Sequence, residues 1–287
     1  MKPFSLLRAV AESDVVAYGQ LVGIAPQGQS QVLFYARRFL KGAAPQLMTI
    51  NASNASNFAS DLGRSRLVLV VHSAHGFEPA EPQYVFVPAE PAVINPNAAP
   101  YDIGVAMVAA ALTSSRTTLA EKRSAAIILT TADTPASTQA LKEQMTSTDD
   151  ELRSLCEAGL LRRGSVAPLP TVVNRLLSAR TLDTEDLNFI FALQTGTSNA
   201  AAIPWLAQLQ RSGSPLIRVA AAMALGRTGT VKAAPALAAA LSDPDIGVRY
   251  RAVYGLRVIF GEGPISEQYF RSNERHLLDL WRNRISG

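Results

Sequence analysis

The stretch Ile217-Arg218-Val219-Ala220-Ala221-Ala222-Met223-Ala224-Leu225-Gly226-Arg227-Thr228-Gly229, followed closely by Ala234-Pro235-Ala236-Leu237, decides how the chain is read. Its small and apolar residues recur every three or four positions, which places them on one face of an α-helix. Gly229 stands where the chain reverses, a position that favours a residue tolerant of positive φ. Pro235 then opens a second helix. Proline costs nothing there, because its missing N–H would be unpaired in the first turn anyway.

Three other segments align with this one: Leu152 to Leu160, Asp186 to Leu193 and Val248 to Leu256. Anchored on Arg153, Asp186, Arg218 and Arg249, they lie 33, 32 and 31 residues apart. Three places after each anchor stands Cys156, Phe189, Ala221 or Ala252. Six places after stands Gly159, Ala192, Ala224 or Gly255, and seven after stands a leucine. Small residues on this stripe let neighbouring helices approach closely. Pro170 and Pro204 repeat the role of Pro235, and Gly164 that of Gly229. Asp149-Asp150 and Asp243-Pro244-Asp245 precede first helices, where acids cap the exposed N–H groups. A two-helix unit with a period near 32 residues predicts an α-solenoid. A weaker unit surrounds Lys122, Ala125, Ile128 and Leu129, with Tyr101 to Ser114 as a capping helix. About five units result, the last beginning near Pro244 and ending on Glu267 to Arg284.

The phrase carried by Ile217 to Leu237, and more loosely by Leu152 to Leu176, resembles that of HEAT repeats. The resemblance implies a scaffold that binds rather than reacts. It also implies that the recurring arginine bridges to an acid of the next repeat, which makes Arg153, Arg218 and Arg249 structural rather than a ladder for phosphate. In a solenoid the second helices line the concave face and expose the positions one and four after the opening proline. Those are Thr171 and Asn174, Trp205 and Gln208, then Ala236 and Ala239. Trp205 stands out against its small counterparts: it is either an interface anchor or packed against the loops.

Upstream the period changes. Val15 to Ile24, Gln31 to Leu40, Leu47 to Ile50, Leu67 to Val71, Tyr84 to Val87 and Ala92 to Ile94 read as short strands with Gly/Pro punctuation. Asn51 to Ser65 reads as a long polar loop. Many short strands predict a small barrel or sandwich. The opening Asp14 to Val22, the second strand ending Phe39-Leu40-Lys41-Gly42, the apolar strand Leu67 to Val71 and the strand Tyr84 to Val87 resemble bacterial netrin-like, or TIMP-like, OB-type barrels. Relatives that inhibit metalloproteases use an N-terminal cysteine, which this chain lacks. The expected fold class is therefore α+β multidomain: a barrel over residues 1–95, a Pro-rich linker at 96–100, and an all-α HEAT solenoid over 101–287. The change of period on either side of the seam predicts a hinge near Pro91 to Pro100.

Chemistry is sparse. His72, His75 and Glu78 have metal-like spacing, but at the end of a strand rather than on one helix face, so no metal site is expected. The third histidine is His276. Cys156, the only cysteine, falls at a core position of its repeat. No nucleophile elbow or phosphate-cradling loop appears, and Gly226-Arg227-Thr228-Gly229 is an inter-helix turn. Neither enzyme activity nor a cofactor is expected. The chain has 287 residues, a net charge of +4, 48% hydrophobic and 17% charged residues, so a real core is affordable and no apolar run spans a membrane. The cations are scattered. Nucleic acid is therefore an unfavoured partner, and only Phe34, Tyr35, Arg37 and Arg38 resemble an aromatic-plus-basic strand face. A protein partner bound through the solenoid is expected, with nucleic-acid binding and a lyase-like HEAT enzyme as the competing readings. Met1 to Glu12 is no intact signal peptide. The barrel resemblance nonetheless implies export, with a leader removed, over a cytoplasmic location.

Overall fold

The structure, a computed structural model, describes residues 5–24, 30–53, 55–74, 76–81, 85–93, 95, 97–196 and 199–286. It divides into two compact units, Met1–Cys156 and Glu157–Gly287.

In the first unit, a short helix α1 (Leu6–Glu12) precedes strands β1 (Val15–Ile24), β2 (Gln31–Lys41) and β3 (Leu47–Asn51). A 3-10 turn over Ala55–Asp61 occupies the polar stretch expected to be loop, and β4 (Ser65–Ser73), β5 (Gly76–Pro79) and β6 (Phe86–Pro88) follow. The order β1-β2-β3-β5-β4 closes on itself, because β4 also pairs with β1. Every pairing in the ring is antiparallel except β3 with β5. This is a five-stranded closed barrel, with β6 added alongside β4. Closure removes the exposed strand edges that an open sheet must protect. The sequence finds β1 to the residue and misses β5, a strand of only four residues. Of the strand expected over Tyr84 to Val87, β6 keeps the end; Tyr84 lies outside the described residues, as do Ile94 and His75. Ala92 and Val93 are not in a strand.

Alternation sets the barrel interior. Val15, Ala17 and Leu21 of β1 meet Val32, Phe34 and Ala36 of β2, Met48 and Ile50 of β3, and Val68 and Val70 of β4. The same alternation splits the aromatic-basic run of β2: Phe34 is core, while Tyr35, Arg37 and Arg38 face outward. Gly42, at the end of β2, has φ +68, and a Cβ there would lie 2.2 Å from the Asp14 carbonyl oxygen. Only glycine fits this turn.

The opposite faces of β1 and β4 are buried too: Val16, Tyr18, Leu67 and Leu69 are all inaccessible. Helices α1 and α2 (Pro100–Thr113) cover them. Gly104 of α2 sits close over Leu67 and Leu6, where a Cβ would make ordinary contacts of 3.8 and 3.9 Å. Helices α3 (Leu119–Leu129) and α4 (Pro135–Glu143) follow within this unit. The seam expected at 96–100 lies within Met1–Cys156, since the outer faces of β1 and β4 take cover from the following α2 as well as from α1.

A buried ion pair joins barrel to helix. Arg66 of β4 donates to Glu121 of α3 at 2.6 Å, with only 4% and 10% of the two side chains exposed. Asp61 also pairs with Arg66, and Arg64 reaches the other Glu121 oxygen at 3.0 Å. Glu121 closes a capping box with Thr118, taking the Thr118 N–H at 2.6 Å. Burial raises the Glu121 pKa, but the hydrogen bonds from Thr118 and Arg66 outweigh it and hold the carboxyl below its ordinary 4.5. A depressed carboxyl stabilises the fold above its unfolded-state pKa, and that stability is lost as pH falls through the native value. Glu121→Ala is expected to cost about 3 kcal/mol, because it strands much of a buried guanidinium's charge. Urea unfolding at pH 7 checks it. As pH falls below the ordinary carboxyl value of 4.5 and through the lower native one, the gap between wild type and variant should shrink, and Arg66→Met with Glu121→Leu should recover most of the loss.

Candidate partner-binding surface

The helical pairs follow the predicted punctuation. α5 (Asp150–Arg162) runs across the division between the units. In the second unit, α6 (Leu169–Ser178), α8 (Ile203–Leu209) and α10 (Ala234–Ala240) are the second helices, each with its proline in the first turn. The first helices are α7 (Thr184–Thr195), α9 (Pro215–Arg227) and α11 (Ile246–Ile259). α12 (Glu267–Ser286) follows α11 and is interrupted at Asn273, where φ is −125. Gly164 and Gly229 take positive φ in the turns. Asp245 caps α11 through the Val248 N–H. Leu169, Val172, Val173, Phe189, Leu206, Leu225, Leu237 and Leu256 lie in one continuous core.

The anchor arginines are consumed by bonds within this frame. Arg218 grips the Asp243 carboxylate with Nε at 2.7 Å and Nη2 at 2.9 Å, while Nη1 donates to the Ser212 carbonyl at 2.9 Å. Arg249 repeats the pattern with Glu274 at 2.6 Å and the Asp243 carbonyl at 2.7 Å. Arg153 reaches back the same six residues to the Ser147 carbonyl at 3.0 Å and pairs with Asp150. Where Asp186 replaces the arginine, the polarity reverses: Arg175 of α6 donates to it at 2.7 Å.

Of the positions expected to face a partner, Thr171 and Asn174 are exposed on α6. Trp205 is half-buried against the core, and Gln208 is half-buried beside it in sequence on α8. His72 lies in β4 with Nδ1 3.4 Å from Asp14, and its backbone N–H donates to the same carboxylate at 2.7 Å. That hydrogen bond is the main reason the Asp14 pKa is lowered. Among the described residues no three side chains converge as metal ligands. His276 is exposed on α12, and Cys156 is buried.

The outward face of the first helices carries a further set of residues, not expected from sequence. Leu187 and Phe191 lie four apart on α7; Leu216, Met223 and Arg227 lie seven and four apart on α9; Arg251, Tyr254 and Val258 lie three and four apart on α11. Each set occupies one side of its helix, and α7, α9 and α11 lie side by side. Phe191 is 53% exposed, Leu187 48%, Leu216 41% and Val258 41%. The Arg162 guanidinium lies 5.3 Å over the Phe191 ring. The signal was present in sequence, as the fifth place after the anchors carries Phe191, Met223 and Tyr254. The core stripe on the same helices masks it, since apolar residues of either kind look alike in sequence.

Between α9 and α11 this face opens into a cleft of about 250 Å³, lined by Met223, Arg227, Arg251, Tyr254 and Val258. Its floor is the crossing of Gly226 and Gly255: a Cβ on Gly226 would lie 2.7 Å from the Gly255 Cα. Arg227 donates Nε to the Gly196 carbonyl at 2.8 Å and Nη2 to Leu193, which satisfies the C-terminal end of α7. Cations are favoured at that end of a helix. Burial first, then the charge of Arg251, holds the Arg227 pKa below the usual arginine value, yet an arginine stays charged throughout the working range. Arg251 lies 4.9 Å over the Tyr250 ring and makes no ion pair with a described carboxylate.

Residues 169–257 carry HEAT repeats: the family model for these repeats matches that stretch. No curated protein matches the chain in sequence. Among solved structures, human deoxyhypusine hydroxylase in complex with glycerol is 20% identical, over 63% of this chain and 71% of that one, with a TM-score of 0.30. An engineered protein is 21% identical, over 56% of this chain and 81% of that one, with a TM-score of 0.39. At these scores neither likeness bears on function.

Gly226→Ala tests the crossing. Alanine is the better helix former by about 1 kcal/mol, but its Cβ would meet backbone, which has nowhere to give. A net loss of about 1–3 kcal/mol is expected from the overpacking, read as a lower urea midpoint with an unchanged slope.

Proposed function

We propose that the chain is a non-enzymatic interaction scaffold that holds a protein partner on the outward face of its HEAT repeats. The observation that carries this reading is the row of exposed and half-exposed apolar residues on one side of α7, α9 and α11, which pack next to one another. Large exposed apolar patches on folded proteins mark interaction sites, whereas single exposed residues do not. The strip has the composition of an interface centre: Phe191, Met223 and Tyr254 flanked by arginines, with no lysine or carboxylate among the residues that define it. HEAT repeats supply a rigid frame for such a surface, since each helical pair is fixed by its neighbours. The barrel, which resembles netrin-like domains, is assigned no chemistry and serves as an accessory unit of the same scaffold. No helix among the described residues is long and apolar enough to cross a membrane.

The test uses the full chain as bait in an extract of its own organism. Wild type is expected to retain a partner that Phe191→Asp releases at least tenfold, while circular dichroism and unfolding midpoint stay the same. The milder Phe191→Ala is expected to weaken binding by about 2 kcal/mol if Phe191 sits at the interface centre. Equal retention by wild type, Phe191→Asp and Val258→Asp would remove the outward face from consideration.

A further inference from the structure

We infer that the cleft between α9 and α11 is the anchor point for an acidic segment of the partner, taking a carboxylate between Arg227 and Arg251 and its apolar neighbour against Met223, Tyr254 and Val258. The inference rests on the scaffold reading and names the chemistry of the partner it requires.

Charge is the first argument. Two guanidinium groups line one small cleft, near enough that the charge of Arg251 bears on Arg227. Like charges brought together raise the energy of the empty cleft, and an anion between them turns that repulsion into attraction. Several arginines of this unit meet carboxylates: Arg175 with Asp186, Arg218 with Asp243, Arg249 with Glu274, Arg257 with Glu262. Arg251 instead has a tyrosine ring as its near neighbour. Arg227 is fixed from behind, because two of its nitrogens are spent on the α7 carbonyls. Its charge is therefore held in place without loss of side-chain entropy on binding.

Shape is the second argument. The cleft of about 250 Å³ equals roughly eight waters at ~30 Å³ each, room for about one residue of a ligand. Its floor is glycine backbone, and its sides are a thioether, a phenol ring and a valine. A bare phosphate would leave that apolar surface uncovered, whereas an acidic residue next to an aromatic or branched one fills both parts. A planar carboxylate also suits two guanidinium forks.

The probe is the peptide acetyl-Glu-Phe-Glu-Leu-amide, compared with acetyl-Gln-Phe-Gln-Leu-amide and titrated into the full chain by NMR. The acidic peptide is expected to shift the Gly226 and Gly255 amide signals saturably, the glutamine peptide at least tenfold more weakly. Arg251→Gln is expected to weaken the acidic peptide about tenfold with an unchanged unfolding midpoint. Binding should also weaken as salt is raised, because the pair is near the surface. Equal binding of the two peptides, or an Arg251→Gln variant that binds as wild type does, overturns the proposal. So does a response to free 3-phenylpropionate with none to either peptide, which would make the cleft a small-molecule site. A null result here beside partner loss in Phe191→Asp would refute the cleft and spare the scaffold. Peptide binding with no dependence of capture on Phe191 would do the reverse.

Discussion

Gly226 and Gly255 meet without side chains, and much of the second unit's surface follows from that contact. Backbone-to-backbone crossing sets α9 and α11 closer together than any larger residue permits. The closeness brings Met223 and Tyr254 to one level and makes a cleft with a polypeptide floor. It also sets Arg227 and Arg251 side by side, a juxtaposition with no value to folding, since the two repel. The cost is met by the core beneath, where Leu225, Leu237, Val253 and Leu256 are fully buried. Stability and surface are thus arranged in layers: close packing below, uncompensated charge and apolar groups above.

The buried ion pairs follow a different logic. Arg218 with Asp243, and Arg66 with Glu121, are held nearly out of water. Such pairs contribute little net stability, because desolvation offsets attraction, yet losing one partner is expensive. Their value is register. Arg218 binds a carboxylate of the next repeat's capping turn and a carbonyl of the turn before its own helix, so it measures the distance between successive repeats. The reversed pair Arg175 with Asp186 does the same with the charges exchanged. That reversal explains why an alignment anchored on arginine has an acid in its second row.

What the sequence discloses here depends on whether the determining interaction is local. Pro170, Pro204 and Pro235 mark helix starts because proline's geometry acts on its own turn, and Gly164 and Gly229 mark reversals for the same reason. β1 is found to the residue because β-branched and aromatic residues fill it from Val15 onward. β5 escapes notice because its four residues show no alternation of their own, and its place is set by pairing with β4 just before it and with the more distant β3. Helix α1 is missed because its apolar face, Leu6, Ala9 and Val10, is too short to show a period. The outward face is less legible for another reason. The expectation for Thr171, Asn174, Trp205 and Gln208 rests on the concave wall of a solenoid, whereas an exposed phenylalanine such as Phe191 reads in sequence like any core residue. Only accessibility separates the two.

The covering of β1 and β4 on both sides has a consequence for the chain as it is made. At about 5–20 residues per second, the strands leave the ribosome well before Pro100–Thr113, the helix that completes their cover. For some seconds a nascent barrel presents Val16, Tyr18, Leu67 and Leu69 to solvent, on strands of high β-propensity and little charge. That is the composition from which aggregates nucleate. The apolar run Leu67 to Val71 is bounded by Arg66 on one side and His72 on the other, polar gatekeepers of the kind that slow such nucleation. Arg66 therefore has two employments in time: it guards the strand while the chain is incomplete, and it receives Glu121 once α3 arrives.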